Sequence, residues 1–249
     1  MSAWPEGYGL HVLEEVDSTL DEAARIAPRL AGPVWIMAHR QVKGRGRRAR
    51  PWADPAGNLS STLVMRPDGP PAQAALRSFV AALALYDACV AVTGRAQGLA
   101  LKWPNDVLLN GGKLAGILLE SSGQGRGLGY LAIGIGVNLA QAPAAEAVEP
   151  GAVRPVSVLS ETGVAVTPED FLGELAAAYA QHEALFTEQG FAPIRAAWLA
   201  RAARLGEVIT ARTGCRETTG TFETVDEQGN LVLNTANGRL RIAAAEIYF

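Results

Sequence analysis

Residues 102–118 read KWPNDVLLNGGKLAGIL, and this stretch specifies the central hairpin of the predicted fold. Asn110-Gly111 lies between two apolar runs, which is the strongest short-range signal for a β-hairpin. Lys113 then falls where the second strand begins, and Asn105 and Asp106 form a turn just before the first. Such a lysine, amide and carboxylate could hold a nucleotide, a metal-bound phosphate or a carboxylate substrate. An ordinary Asn-Asp turn next to an exposed lysine accounts equally well for these residues taken alone.

Helix and strand signals alternate on either side of this hairpin. Ser18 is placed to cap a first helix, with Asp21 in the position of a capping-box acid. Thr167-Pro168 begins a later helix, and Gly190 ends it. The remaining patterns predict helices over residues 71–93 and 194–204 and strands over residues 33–38, 59–65 and 128–139. Glycines at 134 and 136 interrupt the last of these strands, and such glycines often mark the close approach of a ligand or another backbone.

The chain changes character near Leu205. From Glu207 onward, short β-rich runs are separated by the turn sequences Gln228-Gly229-Asn230 and Asn237-Gly238. This pattern predicts a small β-barrel-like domain that follows a larger domain of mixed strands and helices. We therefore predict two domains, residues 1–205 and 206–249, with an α/β or α+β fold in the first.

The composition is typical of a globular protein. Of the 249 residues, 49% are hydrophobic and 19% are charged, which predicts a packed core rather than disorder. The net charge of −3 argues against a general nucleic-acid-binding surface. Cys89 and Cys215 are expected to be reduced thiols, and the three histidines have no metal-ligand spacing. The N-terminus lacks a secretory signal pattern, and the apolar stretch 79–92 is too short to span a bilayer, so we expect a cytoplasmic protein.

Four arginines lie within residues 45–50, in a segment that we call the arginine loop (residues 43–52). The run that begins at Gly44 partly fits the dinucleotide-binding pattern G-x-G-x-x-G/A. That pattern must open a helix, and here Pro51 and Asp54-Pro55 follow instead. Arginines held by flexible glycines suit an anionic ligand, because guanidinium groups bind phosphate in a bidentate way and stay charged. A solvated basic loop or a nucleic-acid contact is the alternative interpretation.

Taken together, these motifs resemble those of the biotin–protein ligase family. The motifs that carry the resemblance follow the family's order: Asp17-Ser18-Thr19, Gln41, Gly44-Arg45-Gly46-Arg47, Lys102-Trp103-Pro104-Asn105-Asp106, Lys113-Leu114-Ala115-Gly116-Ile117-Leu118 and Gly134-Ile135-Gly136-Val137-Asn138. The resemblance implies an α+β fold: a mixed-sheet catalytic domain of the biotin/lipoate ligase type, similar to class II synthetases, and a small SH3-like C-terminal β-barrel. It implies an enzyme that uses ATP and Mg²⁺ to form biotinyl-5′-AMP from biotin and then transfers biotin to a lysine of a carrier protein.

The resemblance also implies roles for individual residues. Biotin would be bound by Ser18, Thr19, Leu20, Gln41, Arg45, Gly46, Arg47, Lys113 and Gly116. ATP and the adenylate would be bound by Arg47, Arg50, Trp52, Asn105, Lys113 and Asn138. The catalytic residues would be Lys113, Arg47 and Asp106, with Asp106 also near Mg²⁺. The family usually has asparagine where this chain has Leu20, which puts one polar contact to biotin in question.

The partner implied by the resemblance is the biotin carboxyl carrier protein of a carboxylase, such as acetyl-CoA carboxylase. Because only residues 1–16 precede Asp17, we expect the short, monofunctional form without the DNA-binding domain of repressor-type members. We expect a monomer or homodimer that binds neither specific DNA nor a membrane. Two alternatives stay open: a lipoate–protein ligase, which shares the fold and the adenylation chemistry, and a non-catalytic regulator that senses biotin.

Overall fold

The computed structural model describes residues 2–53, 55–123, 128–144, 153–214 and 216–248. The strands are β1 (Gly9–Val16), β2 (Val34–Gln41), β3 (Leu59–Met65), β4 (Leu99–Lys102), β5 (Asp106–Leu109), β6 (Gly112–Ser122), β7 (Tyr130–Val137), β8 (Val208–Thr213), β9 (Arg216–Val225), β10 (Leu231–Thr235), β11 (Gly238–Ile242) and β12 (Glu246–Tyr248). The helices are α1 (Thr19–Ile26), α2 (Pro71–Ala75), α3 (Arg77–Thr93), α4 (Val158–Thr162), α5 (Pro168–Gln189) and α6 (Phe191–Leu199). Asp54 and Cys215, which entered the sequence arguments, lie outside the described residues.

Two sheets organise the molecule. The first seven strands form a mixed sheet in the order β1-β2-β3-β7-β6-β5-β4, in which only β1 and β2 pair in parallel among the described strands. Strands β8 to β12 form a separate antiparallel sheet in the order β11-β10-β9-β8-β12. The main core, with α3 and α5, lies against one face of the large sheet, and α1 packs on strand residues that point the other way, such as Ile36 and Val64. The α+β prediction is confirmed.

The hairpin predicted at Asn110-Gly111 is also confirmed. Strands β5 and β6 pair antiparallel around it. Asn110 and Gly111 have φ values of 49° and 78°, and a two-residue type I′ turn needs positive φ at both positions. Asp106 is the first residue of β5 and Lys113 the second of β6, so backbone pairing sets the position of both side chains.

Several element boundaries differ from the prediction. The helix expected over residues 71–93 is divided into α2 and α3, which meet at Leu76. The helix expected over residues 194–204 is α6, which starts directly after Gly190 and ends at Leu199. It ends early because Ala203 N–H donates to Leu101 O, which joins the chain to β4. The strand expected over residues 128–139 is the shorter β7.

Two expectations near the N-terminus also need correction. Strand β1 was not predicted, because its sequence GLHVLEEV has exposed residues on both faces and hides the two-residue alternation of a half-buried strand. The prediction of a capping box at the start of α1 was wrong in part. Ser18 Oγ accepts from the Leu20 N–H as predicted for a cap, but the Asp21 carboxylate pairs with Arg45 instead.

Helix α3 lies in the main core. Residues Pro71–Thr93 are long and apolar enough to cross a membrane by length and composition alone, yet most of their side chains are buried in the core shared with α5 and the sheet. A buried ion pair joins these helices, since Arg77 donates to Glu183, which also accepts from the Tyr179 hydroxyl. The core position therefore accounts for the apolar composition of α3.

The small sheet is docked firmly on the large one. Its apolar side chains, including Phe222 and Ile247, belong to the same hydrophobic cluster as those of the large sheet and α3. The turn between β9 and β10 makes a specific contact, because Trp103 Nε1 donates to Gly229 O at 3.0 Å. This docking brings the end of the chain to the hairpin that carries Lys113.

Candidate active site

One cavity collects every site residue that the sequence predicted. Its volume is about 410 Å³, within the range of a small-molecule site. The predicted residues that line it are Ser18, Thr19, Leu20, Gln41, Arg45, Gly46, Arg47, Arg50, Trp52, Asn105, Asp106, Lys113, Gly116 and Asn138. Residues far apart in the chain thus meet at the large sheet, beneath the arginine loop and beside β12.

Buried hydroxyl and amide groups form one part of the cavity wall. Both the Thr19 N–H and the Thr19 hydroxyl donate to Gln41 Oε1, at 2.8 and 3.0 Å. The Thr62 hydroxyl donates in turn to Thr19 Oγ1 at 2.8 Å. Ser18 is almost fully buried beside them as the cap of α1. Because these groups are already fixed by hydrogen bonds, they can present donors and acceptors to a ligand without reordering.

Two lysines flank a carboxylate at another part of the wall. Lys113 Nζ lies 2.7 Å from Asp106 Oδ1, and Lys102 Nζ lies 3.9 Å from Asp106 Oδ2. Burial lowers the pKa of Lys102 and the Asp106 charge only partly opposes that shift. Lys113 is the more exposed of the two lysines, with about a third of its side chain accessible. It is therefore the lysine best placed to meet an incoming anion.

Glycines form the floor of the cavity. Gly116 and Gly136 are paired on β6 and β7, and the Trp52 ring of the arginine loop lies over both. A methyl group at Gly136 would come within 2.5 Å of Trp52, and one at Gly134 within 3.0 Å of Leu20. The sequence correctly indicated a close approach at these glycines, and the groups that approach are side chains of this same chain.

No α-helix begins in the arginine loop, which is described throughout and contains only a one-turn 3-10 helix at Arg47–Ala49, so the loop does not meet the requirement of the dinucleotide-binding pattern. Its arms are joined by backbone hydrogen bonds from Gly46 N–H to Arg50 O and from Trp52 N–H to Gly44 O. At its tip, Arg48 and Ala49 have φ values of 58° and 57°, a conformation that costs energy for residues with a side chain. Such a conformation persists only where the surroundings hold it.

One backbone carbonyl and one carboxylate near the C-terminal strand hold the tip of the loop. Arg47 Nη1 donates to Ala245 O at 3.2 Å, and burial lowers the pKa of Arg47. Arg48 lies 3.2 Å from Glu246 Oε2, and Arg50 donates to the other oxygen of the same carboxylate. Burial alone raises the pKa of Glu246, but the hydrogen bonds and charges of its partners, those of Arg50 first, together outweigh it and the net pKa is lowered.

Sequence reasoning missed this C-terminal part of the wall, which consists of Ala245, Glu246, Ile247 and Tyr248. One glutamate among 25 acidic residues, with no recognisable neighbours, carries no local signal. Lys102 was quoted as part of a motif but was not assigned to the site, although it also lines the cavity.

The two predicted asparagines are already engaged in backbone contacts. Asn105 Nδ2 donates to Ile117 O and the Ile117 N–H donates to Asn105 O, so Asn105 braces strand β6. Asn138 Nδ2 donates to Val156 O at 3.0 Å. Its Oδ1 is buried and meets no hydrogen-bond donor among the described residues, which leaves an acceptor for a ligand or ion.

Comparisons with known proteins agree with this geometry. Residues 13–138 match the biotin/lipoate A/B protein ligase family, and residues 205–249 match the biotin protein ligase C terminal domain. A biotin–[acetyl-CoA-carboxylase] ligase of Paracoccus denitrificans is 60% identical over 96% of this chain and 99% of its own length. The bifunctional ligase/repressor BirA of Escherichia coli is 30% identical over 92% of this chain and 70% of its own length.

Solved structures lead to the same family. The biotin protein ligase from Aquifex aeolicus in complex with biotin and ATP superposes with a TM-score of 0.78 at 27% identity, covering 96% of this chain and 97% of that one. A second structure, the R40G mutant of the same protein in complex with biotin, gives a TM-score of 0.81 at 26% identity over the same shares of both chains. The chain therefore belongs to the biotin/lipoate A/B protein ligase family.

Proposed function

We propose that this chain is a biotin–protein ligase, which uses ATP to activate biotin as biotinyl-5′-AMP and transfers biotin to a lysine of a carrier protein. The observation that carries the proposal is the 60% identity to a biotin–[acetyl-CoA-carboxylase] ligase over almost the full length of both chains. The convergence of all predicted site residues on one cavity supports it.

In the first step, a biotin carboxylate oxygen attacks the α-phosphorus of ATP. A new P–O bond forms to biotin, the bond to the β-phosphate bridge breaks, and pyrophosphate leaves. An anion approaches a polyanion, so positive charge must lie where negative charge develops. Lys113 is proposed to supply it at the carboxylate and the α-phosphate, and Arg47 and Arg50 at the phosphates, because all three line the cavity. Thr19 and Gln41 are proposed to hold the ring of biotin.

In the second step, the amine of the carrier lysine attacks the acyl carbon of biotinyl-AMP. A C–N bond forms, the C–O bond to the phosphate breaks, and AMP leaves with the electron pair. The attacking amine must first lose a proton. We propose that the Asp106 carboxylate orients this amine or accepts its proton, since it already lies 2.7 Å from one ammonium group, that of Lys113.

Mg²⁺ is expected to enter with the ATP phosphates rather than in a resident site. Among the described residues, no group of three His, Cys, Asp or Glu side chains could hold a metal ion. Asp106 and the unsatisfied Oδ1 of Asn138 both line the cavity and are hard oxygen donors, which suit Mg²⁺ in combination with phosphates and water. When bound there, the ion would supply positive charge to the polyphosphate.

A pyrophosphate-release assay tests this proposal. Biotin with ATP and Mg²⁺ should release pyrophosphate in the absence of any carrier, whereas lipoate with ATP should not. Release with lipoate but not with biotin would instead identify a lipoate–protein ligase. Tight binding of biotin without release would identify a non-catalytic biotin sensor.

The partner, location and domain roles are further parts of the proposal. The carrier would be the biotin carboxyl carrier protein of a carboxylase, as the name of the Paracoccus relative suggests. We propose a cytoplasmic monomer or homodimer without specific DNA binding, in which residues 1–205 are the catalytic domain and residues 206–249 support it. The contacts of Ala245 and Glu246 with the arginine loop favour such a supporting role.

A further inference from the structure

Arg45 differs from the other arginines of the loop in what it contacts. Its Nε donates to Glu120 Oε1 at 3.0 Å and its Nη2 donates to Glu120 Oε2 at 2.8 Å. The same Nη2 lies 2.9 Å from Asp21 Oδ1. One guanidinium is thus shared by two carboxylates from the catalytic part of the chain, and the paired geometry with Glu120 is the strong, bidentate kind.

The elements that supply these carboxylates are those that build the biotin end of the proposed site. Glu120 belongs to β6, the strand that carries Lys113 and Gly116. Asp21 belongs to α1, the helix that begins at Thr19. The chain just before Arg45 is also fixed, because the Lys43 N–H donates to Asp17 O at 2.7 Å. Arg45 therefore ties the beginning of the loop to the cavity wall.

The charge around Arg45 is wrong for binding an anion. A carboxylate or phosphate that reached its guanidinium would also approach Asp21 and Glu120, and like charges at such short range repel. Arg47, Arg48 and Arg50 instead contact the C-terminal segment, through one backbone carbonyl and the single carboxylate of Glu246. The four arginines of the loop thus have two different environments. Arg45 lies between two carboxylates, whereas Arg48 and Arg50 share a single carboxylate and Arg47 contacts a backbone carbonyl.

We propose that Arg45 is a positioning residue for the biotin site: its guanidinium is an anchor held by Glu120 and Asp21, it does not contact the ligand, and the loop moves only beyond it. This inference rests on the proposed function for its kinetic consequence. It departs from the role that the family resemblance implies for Arg45, which is to be one of the residues that bind biotin. The Arg45 backbone and Gly46 would still line the site, placed by the anchor.

The variant that distinguishes the two roles is Glu120→Ala. If Arg45 bound the ligand directly, removal of Glu120 would free its charge, and the affinity for biotin would stay the same or increase. If Arg45 is an anchor, Glu120→Ala and Arg45→Gln should both raise the KM for biotin, by about tenfold as expected for loss of charge-assisted hydrogen bonds. The kcat of pyrophosphate release should stay within about twofold of wild type, because the groups proposed for the chemistry are untouched.

The KM for biotin of the double variant, which combines Glu120→Ala with Arg45→Gln, gives a second measurement. The double variant should be no worse than Arg45→Gln alone, because Glu120→Ala removes only a contact that Arg45→Gln has already lost, whereas Arg45→Gln also removes the pair with Asp21. Glu188→Ala serves as the matched control, since Glu188 is an exposed glutamate outside the cavity lining. A KM for biotin in Glu120→Ala that equals or falls below the wild-type value would overturn the anchor.

A structural readout separates this inference from the proposed function. In the free protein, trypsin should cut after Arg47 or Arg48 several-fold faster in Glu120→Ala than in wild type or Glu188→Ala, because the loop has lost its anchor. Unchanged cleavage would also overturn the anchor. Faster cleavage in a protein whose wild type releases no pyrophosphate with biotin would keep the anchor and reject the proposed function.

Discussion

The floor of the cavity and the arginine loop above it are held in different ways. The floor, formed by β5, β6 and β7, is fixed by antiparallel backbone pairing with one register shift at Val107/Leu108, and it places Gly116 opposite Gly136 and Asp106 opposite Gly116. The arginine loop has only short backbone pairing of its own and is held by ion pairs to Glu120, Asp21 and Glu246. Backbone pairing persists when a ligand arrives, whereas an anionic ligand can compete for a guanidinium. We therefore expect the rate of biotinyl-AMP synthesis to depend mainly on the floor. We expect the rate at which biotinyl-AMP dissociates to depend mainly on the arginine loop.

The largest effect should come from the floor. Lys113→Ala should slow biotinyl-AMP synthesis by on the order of a hundredfold or more, the size expected when a charge contact to a transition state is lost. The fold should survive, because about a third of this side chain is exposed and only its cation is used. Pyrophosphate release measures the effect, and Lys43→Ala, an exposed lysine of the loop, is the control. Synthesis within about tenfold of wild type would reject the role of Lys113 as the charge contact in adenylation.

A change in the arginine loop should affect the dissociation of biotinyl-AMP more than its synthesis. Arg47→Gly leaves Lys113 and Arg50 in place, so some adenylate should still form. Dissociation of biotinyl-AMP should accelerate by about tenfold, as expected for one lost charge-assisted hydrogen bond, and more than synthesis slows. The two rates are measured side by side on the same preparation. If pyrophosphate release slows while adenylate dissociation is unchanged, Arg47 acts only in the adenylation step. The proposed division of roles between the floor and the arginine loop would then be wrong.

The contact between floor and loop can be tested at Gly136. A methyl group there would come within 2.5 Å of Trp52, a loop side chain that can move away while β7 stays paired. Gly136→Ala should therefore weaken ATP binding by roughly fivefold to tenfold, the size expected for overpacking, with little loss of thermal stability. Gly173→Ala is the control, because a Cβ at this helical glycine meets no heavy atom within 4 Å. An unchanged KM for ATP would show that Trp52 does not serve the nucleotide.

The smallest effect is expected at Glu246, which holds the loop tip from the C-terminal side. Glu246→Gln should raise trypsin cleavage of the free loop by a few-fold, since partly exposed ion pairs contribute little. The pKa of Glu246 is lowered from 4.5, so its pairing stabilises the closed loop fully above pH 4.5 and is lost as the pH falls from there through the lowered pKa. Wild type should therefore become more cleavable when it is pulsed with an acid-active protease at a pH below that lowered pKa, and Glu246→Gln should change less. Equal acid sensitivity of the two proteins would argue against this contact.

Much of the site could be predicted because its signals are local. An Asn-Gly turn between apolar runs needs only its own backbone conformation to form a hairpin, so Lys113 and Asp106 were placed correctly. Glycines at 134 and 136 signalled close approach, since only a missing side chain admits the Trp52 ring or Leu20. Strand β1 and the partners of the arginines were not predictable in this way. An exposed edge strand shows no clear alternation of apolar and polar residues. An ion pair between residues that are 75 or 196 positions apart leaves no local pattern in the sequence.

The sequence by itself determined the hairpin, the α+β division of the chain and, through the family motifs, many of the residues that line the cavity, because each depends on turn chemistry, on apolar periodicity or on motifs within a few residues. Only the tertiary structure decided how the arginines are used. Four guanidiniums in one short loop have the same chemistry, and what separates them is which carboxylate the fold brings near. Arg45 meets Glu120 of β6 and Asp21 of α1, while Arg48 and Arg50 meet Glu246 of β12. Electrostatic interactions depend on distance in space, and the fold alone sets that distance.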